Sequence, residues 1–347
     1  MPQIEPMIQL ENIGLLKMAV HRIGREDELN VLSDTCFDDW ALEESELLKK
    51  IFLKPFTTHH ITFEFKHEVN LDYNPLFQLS KLLQDNTDFL SVSKDIGKHL
   101  ISCSKHANIK QGDLYITQFA GVKWGENFYE ALGIFKFEDK DTYLETNLEP
   151  DQTLINFKKG LGSRKPDKAC LIIFTEEPYT LLIIDSNNGD TDYWQQEFIN
   201  HRPKNDDVNH TNNYLSLTKN FITEHMPQEF VVSKADQIDL LNRSVDYFKS
   251  HDTFDRQEFM EEVIHHDDMI RSFQQFEERQ QKENQWELQD QFEISNQAVK
   301  KQARIFKSVI KLDKNFHIYI HGNKELIEQG IESDGRKYYK IYYAEES

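Results

Sequence analysis

No run of this 347-residue chain is long and apolar enough to cross a bilayer; the most hydrophobic early stretch, Ile13 to Val20, is broken by Gly14 and Lys17, and no basic segment precedes it. A spanning helix and an export signal are both argued against, and a cytoplasmic protein with no membrane contact is expected. Cysteine is scarce. Cys36, Cys103 and Cys170 are odd in number, widely separated and without a CxxC pair, so neither a disulfide framework nor a zinc cluster can be built from them, and free thiols in a reducing compartment follow. Catalytic signatures are missing as well: there is no GxSxG elbow, no HExxH, no Walker A and no dinucleotide fingerprint. Neighbouring carboxylates such as Glu176-Glu177 and Glu261-Glu262 suggest no shared cleft. The chain is read as a non-enzyme that needs no cofactor and no metal.

Positive charge is also in short supply. Forty Lys and Arg face 60 Asp and Glu, a formal net charge of −20, which keeps the protein soluble and repels polyanions from the body as a whole. Any contact with nucleic acid must then come from a local patch. What the chain does have is aromatic bulk: 24 Phe and 13 Tyr among 38% apolar residues are enough for packed cores and argue against wholesale disorder.

The length exceeds a usual single core. We expect an α+β protein in three parts: a mixed sheet domain with helices over residues 1–200, an acidic helical module over 201–295, and a basic helix with a β-hairpin over 296–347. The first part reads as short strands around two helical stretches. Leu76, Leu79, Leu82 and Leu83 share one helical face, and Ile96, Leu100 and Ile101 another. Two β-rich runs, Leu114 to Trp124 and Tyr129 to Glu138, flank a turn at Gly125-Glu126-Asn127. Cys170 to Phe174 and Tyr179 to Asp185 are near-continuous apolar runs, as central strands buried on both faces would be.

Composition shifts near Asn200. From Asn205 to Glu293 there are 20 acids against 8 bases, a balance of −12. Ile238, Leu241, Val245 and Phe248, and again Met269, Ile270, Phe273 and Phe276, recur at helical spacing. Asp255 and Glu258 have the spacing of a capping box. Gln274 to Gln289 is long, polar and sparsely apolar, and reads as a solvated helix or a flexible connector.

The sign of the charge then reverses. From Asn296 to Lys324 seven bases face Asp313 alone, +6. Were this stretch helical, Lys300, Arg304, Lys307 and Lys311 would share one face, with Lys301 and Lys314 beside it; such a row can neutralise phosphates without reading sequence. An ordinary solvated face balancing the acidic module is the plainer alternative. A second island, Lys158, Lys159, Arg164, Lys165 and Lys168 with Asp167, carries +4 around Gly160 and Gly162. It reads as a basic loop able to touch nucleic-acid backbone, since glycines let amides approach an anion. The chain closes with a strand at Phe316 to His321 and another at Tyr338 to Tyr343, the latter after a turn at Asp334-Gly335.

Other constellations dissolve on inspection. Asp185 to Asp192 gathers carboxylates, but Asp190 stands where a calcium loop needs glycine, and Gln196 where it needs glutamate. His265 and His266 point in different directions on a helix. His317 and His321 would lie about 13 Å apart on a strand at ~3.3 Å per residue, too far for one ion.

The order of elements resembles the bacterial nucleoid-associated protein family of the NdpA/YejK type. The residues that carry the likeness are Gly112-Asp-Leu-Tyr-Ile116 and Ala131-Leu-Gly-Ile-Phe135, the Tyr193-Trp194 to Phe221 segment, and the end from Phe306 through Phe316-His-Ile-Tyr-Ile320 to Tyr339-Lys-Ile341. Before the central helix, where the family has small and basic residues, this sequence has His210-Thr-Asn-Asn-Tyr214. The resemblance implies a cytoplasmic protein found with the nucleoid, binding DNA with little sequence preference, meeting topoisomerases or other nucleoid proteins, and having no catalytic motif to carry over. An acidic adaptor for DNA-processing enzymes is the alternative, and a homodimer is open.

Overall fold

The computed structural model describes residues 8–58, 61–85, 87–162, 164–186, 192–284, 286–303, 309–312, 314–319 and 326–345. The chain is α+β and divides into two compact units, Met1–Lys204 and Asn205–Ser347.

In the first unit β1 (Gly14–Ile23) and β2 (Cys36–Phe37) lead to α1 (Leu42–Leu53), β3 (Phe63–Phe65), α2 (Pro75–Gln84) and α3 (Phe89–Cys103). Two hairpins follow, β4 (Gly112–Trp124) with β5 (Asn127–Phe137) and β6 (Asp141–Glu149) with β7 (Gln152–Gly160); then come β8 (Lys168–Ile173), β9 (Thr180–Asp185) and β10 (His201–Pro203). Eight strands form one sheet in the order β10-β3-β9-β8-β5-β4-β1-β2. Every pairing in it is antiparallel, not mixed. The apolar runs of β8 and β9 match their burial, complete in β8 and over Thr180 to Ile183 in β9, in an antiparallel sheet although such runs more often mark a parallel one.

One face packs against α2 and α3: Leu76, Phe77, Val92, Ile96 and Leu100 meet Leu114, Ile116, Leu132, Ile134, Cys170 and Ile172. Asn74 starts α2 by accepting from the Phe77 amide at 3.0 Å while its own amide donates to the Ile199 carbonyl at 2.9 Å, so one side chain caps the helix and ties down the chain entering β10. The opposite face is covered by α1, a helix the sequence reading did not anticipate. Phe52 stacks on Phe135 at 4.6 Å and leans on Tyr115 at 5.4 Å, and Phe56 reaches Phe135 at 6.3 Å. Each such ring removed from water stabilises the fold by roughly 1.5–3 kcal/mol.

The second unit runs α4 (Asp207–Asn220), α5 (Met226–Glu229), α6 (Lys234–Ser250), β11 (Thr253–Asp255), α7 (Arg256–Phe259), α8 (Asp267–Asn284), β12 (Gln291–Glu293) and α9 (Asn296–Ala303). It ends in two ribbons, β13 (Val309–Leu312) with β14 (Phe316–Tyr319) and β15 (Ile327–Ile331) with β16 (Lys337–Ile341). Its core is aromatic: Tyr214, Phe221, Phe248, Phe254, Phe259, Phe273, Phe276 and Phe292 are buried together, with Ile294 and Val299. The polar stretch from Gln274 is neither a free connector nor wholly solvated. α8 continues through it to Asn284 because Phe276 is buried and Glu277, 1% exposed, accepts from Arg256 at 2.6 Å and from the Tyr214 hydroxyl at 2.5 Å.

Two outcomes follow from these contacts. Glu277→Ala leaves the Tyr214 hydroxyl and the Arg256 guanidinium without this acceptor and should cost about 3 kcal/mol, seen as faster hydrogen exchange in α4 and α8 with the sheet of the first unit unchanged. His201 packs edge-on against Phe63 at 4.5 Å, both ring nitrogens are buried without a partner, and burial pushes its pKa from 6.5 down to about 4. The unfolded chain therefore takes up a proton first as pH falls, so stability is held above pH 6.5 and lost between there and about 4. His201→Phe should leave stability at neutral pH intact or raised and shift the acid-unfolding midpoint downward.

Candidate nucleic-acid interface

The two basic islands take very different forms. Of the C-terminal set, Lys300 and Lys301 lie on α9 (Asn296–Ala303), both half-buried, and burial lowers the Lys301 ammonium below its ordinary range. Lys311 stands on β13 opposite His317, and Lys314 is exposed in the turn to β14. The single helical face of Lys300, Arg304, Lys307 and Lys311 is not formed, because Val309 to Leu312 pairs instead with Phe316 to Tyr319, placing Ile310 and Ile318 against Ile238 of α6. Arg304, Lys307 and the Lys311 side chain lie outside the described residues.

The other island is not the glycine loop expected from its sequence. Lys158, Lys159 and Gly160 belong to β7, and Gly160 pairs with Asp141 across the ribbon. Three of its five cations are met by carboxylates. Lys158 pairs with Glu145 at 2.6 Å; Arg164 pairs with Asp167 at 3.0 Å and Asp139 at 3.4 Å; Lys168, 3% exposed, pairs with Asp185 at 2.6 Å. Lys168 is thus a structural residue with no route to a phosphate. Its role also accounts for Asp185, the first carboxylate of the rejected calcium loop.

What the fold adds is a cleft that spacing alone could not show. α1 turns Phe52 and Leu53 to the sheet, leaving Leu47, Lys50 and Ile51 on its outer side, and the 3-10 turn after it carries Lys54 and Pro55. These residues and Gly162, Arg164 and Lys165 line a cleft of about 460 Å³. Lys50, Lys54 and Lys165 are exposed, and none of the three has a carboxylate within ion-pair distance among the described residues. More than 100 residues of sequence separate Lys54 from Lys165. Their convergence depends on α1 packing beside the segment that leaves β7, and no local pattern announces it.

Among the described residues one group of metal-type ligands comes together, His251, Glu258 and Glu262, with ligand atoms within 4.8 Å of one another. Tyr247 organises it: its hydroxyl donates to Glu258 at 2.8 Å and its carbonyl accepts from His251 Nδ1 at 2.9 Å. The sequence reading, drawn to His265 and His266, passed over it. The buried thiols are inert, with burial pushing both Cys103 and Cys170 up.

No curated protein and no solved structure matches the chain. A family model described as nucleoid-associated protein YejK matches residues 19–336, which takes in the sheet from the middle of β1 onward, the acidic helices, and the ribbons through the turn before β16. With nearly the whole length accounted for by that one description, the chain belongs to the nucleoid-associated protein YejK family.

Proposed function

We propose that the protein binds duplex DNA with little sequence preference, holding the phosphate backbone on the cleft of α1 and the post-β7 segment. The observation that carries this reading is the convergence of Lys50, Lys54 and Lys165, exposed and without a carboxylate partner among the described residues, in a chain of net charge −20. Repulsion from the net charge of −20 is screened over about 8 Å at physiological ionic strength, whereas a lysine touching a phosphate acts inside that distance. Lys159, exposed on β7, supplies a further cation in the same unit, and Lys300, Lys301 and Lys314 are separate phosphate-contact candidates within the second unit. Contacts of this kind position a protein on DNA and carry no base readout. No membrane contact enters this reading, and among the described residues no helix is long and apolar enough to span one.

One feature favours a second reading, an acidic adaptor that meets basic surfaces of DNA-processing enzymes such as topoisomerases. Glu261, Glu262, Asp267 and Asp268 are exposed within eight residues of sequence in the second unit, a concentration of negative charge suited to steering a basic partner.

Fluorescence anisotropy with a labelled duplex separates the two. The first reading expects affinity to fall steeply with salt and to be independent of sequence, and Lys50→Glu, Lys54→Glu and Lys165→Glu together to weaken binding at least ~30-fold and reduce the log–log salt slope by about 1 per lysine. Binding absent at low salt, or unaffected by the triple change, would sink it. The adaptor reading instead expects partners retained from lysate after nuclease treatment. Lys168→Met is a telling contrast: it removes the ion-pair partner of the nearly buried Asp185 carboxylate, so it should lower the melting temperature of the first unit, whereas Lys165→Met should leave melting unchanged and weaken only DNA binding.

A further inference from the structure

An antiparallel ribbon of two strands is marginal in water unless something covers it. β6 and β7 form such a ribbon, paired with each other from Asp141 and Gly160 to Glu149 and Gln152, and with no other strand among the described residues. Six large apolar side chains on it are exposed, and the four most exposed are Leu144 at 60%, Leu148 at 86%, Ile155 at 60% and Phe157 at 76%. The register puts all four on one side. Leu144 opposes Phe157, Thr146 opposes Ile155, Leu148 opposes Thr153 and Thr142 opposes Lys159, and directly opposed residues share a face while successive ones alternate. That face therefore holds four apolar residues, three threonines and one charge, Lys159, at its base. The reverse face carries only two exposed apolar side chains, Tyr143 and Leu154, among the carboxylates Asp141, Glu145 and Glu149, with Lys158 paired to Glu145.

We propose that the apolar face docks on the same face of a second copy of the chain. DNA is a poor occupant, because residues 141–160 carry four carboxylates (Asp141, Glu145, Glu149 and Asp151) against two lysines, and phosphates repel that balance. A partner recognised by charge finds almost none to engage. Two copies of the face suit each other: no carboxylate is buried, the Lys159 stem packs while its ammonium reaches water at the ribbon's base, and each ribbon gains the covering layer it lacks. A contiguous exposed apolar patch on a soluble protein marks a contact surface. The area sets the strength. Nine residues at ~3.3 Å each and two strands about 10 Å across give roughly 300 Å² per copy, below the ~800 Å² per partner of a standard interface, so the dimer is reversible and concentration-dependent.

Sedimentation equilibrium on the full chain tests this. The wild-type mass should climb with concentration from the 41.1 kDa of one chain towards twice that value, and, with an uncharged contact, should not decline as salt is raised, in contrast to DNA binding. Leu144→Glu with Phe157→Glu should weaken association about tenfold or more. Leu154→Glu, on the reverse face opposite Asn147, should associate as the wild type does. All three positions are exposed, so the variants should keep the wild-type circular dichroism. A wild type that stays monomeric at every concentration, a double variant that still associates normally, or equal loss in Leu154→Glu would each overturn the proposal.

Discussion

The first unit is organised by the need to keep β5 and β8 dry on both sides. Lys168 to Ile173 is buried along its whole length, and Asn127 to Phe137 is buried from Ala131 onward. α2 and α3 close one face, and the stack of Phe52 on Phe135 closes the other. That stack fixes the rotation of α1 about its own axis. With Phe52 inward, Lys50 and Ile51 are turned towards the segment that follows β7, and the cleft comes into being as the outer surface of a packing solution.

Charge in this protein is sorted by burial. Lys136 has a completely buried side chain, donates to the Lys110 carbonyl at 2.6 Å and to Glu138 at 3.1 Å, and its pKa is lowered, chiefly by desolvation. Lys168 is held the same way by Asp185. A cation committed to a carboxylate inside the fold contributes to architecture; one left in water keeps its charge for a ligand. Counting bases along the sequence merges these two populations, which is why, among the described residues, an island of +4 holds two cations without a carboxylate partner, Lys159 and Lys165.

Much of the fold was legible. Helical spacing located α2, α3, α6 and α8, alternation with a glycine turn located β4 and β5, and long apolar runs located β8 and β9, because each signal depends on neighbours in sequence. The misses have a common cause. α1 is dense in charge, Leu-Glu-Glu-Ser-Glu-Leu-Leu-Lys-Lys, and its burial is decided by Phe52, Leu53 and Phe56 meeting a sheet formed much later in the chain. β13 was read as helix because lysines at spacings of three and four fit a helical face, while the pairing that makes it a strand lies across a turn. The site was legible only in part: Arg164 and Lys165 stood out, but Lys50 and Lys54 join them through tertiary packing.

The large sheet is open, yet its rims offer little to a passing strand. At one end β2 is two residues long; at the other β10 is three, and Pro203 within it has no amide hydrogen to donate. Unpaired backbone at a sheet margin is a template for uncontrolled strand addition. Here that template is clipped at both margins, so copies of the chain can meet at high concentration without knitting their sheets into fibres.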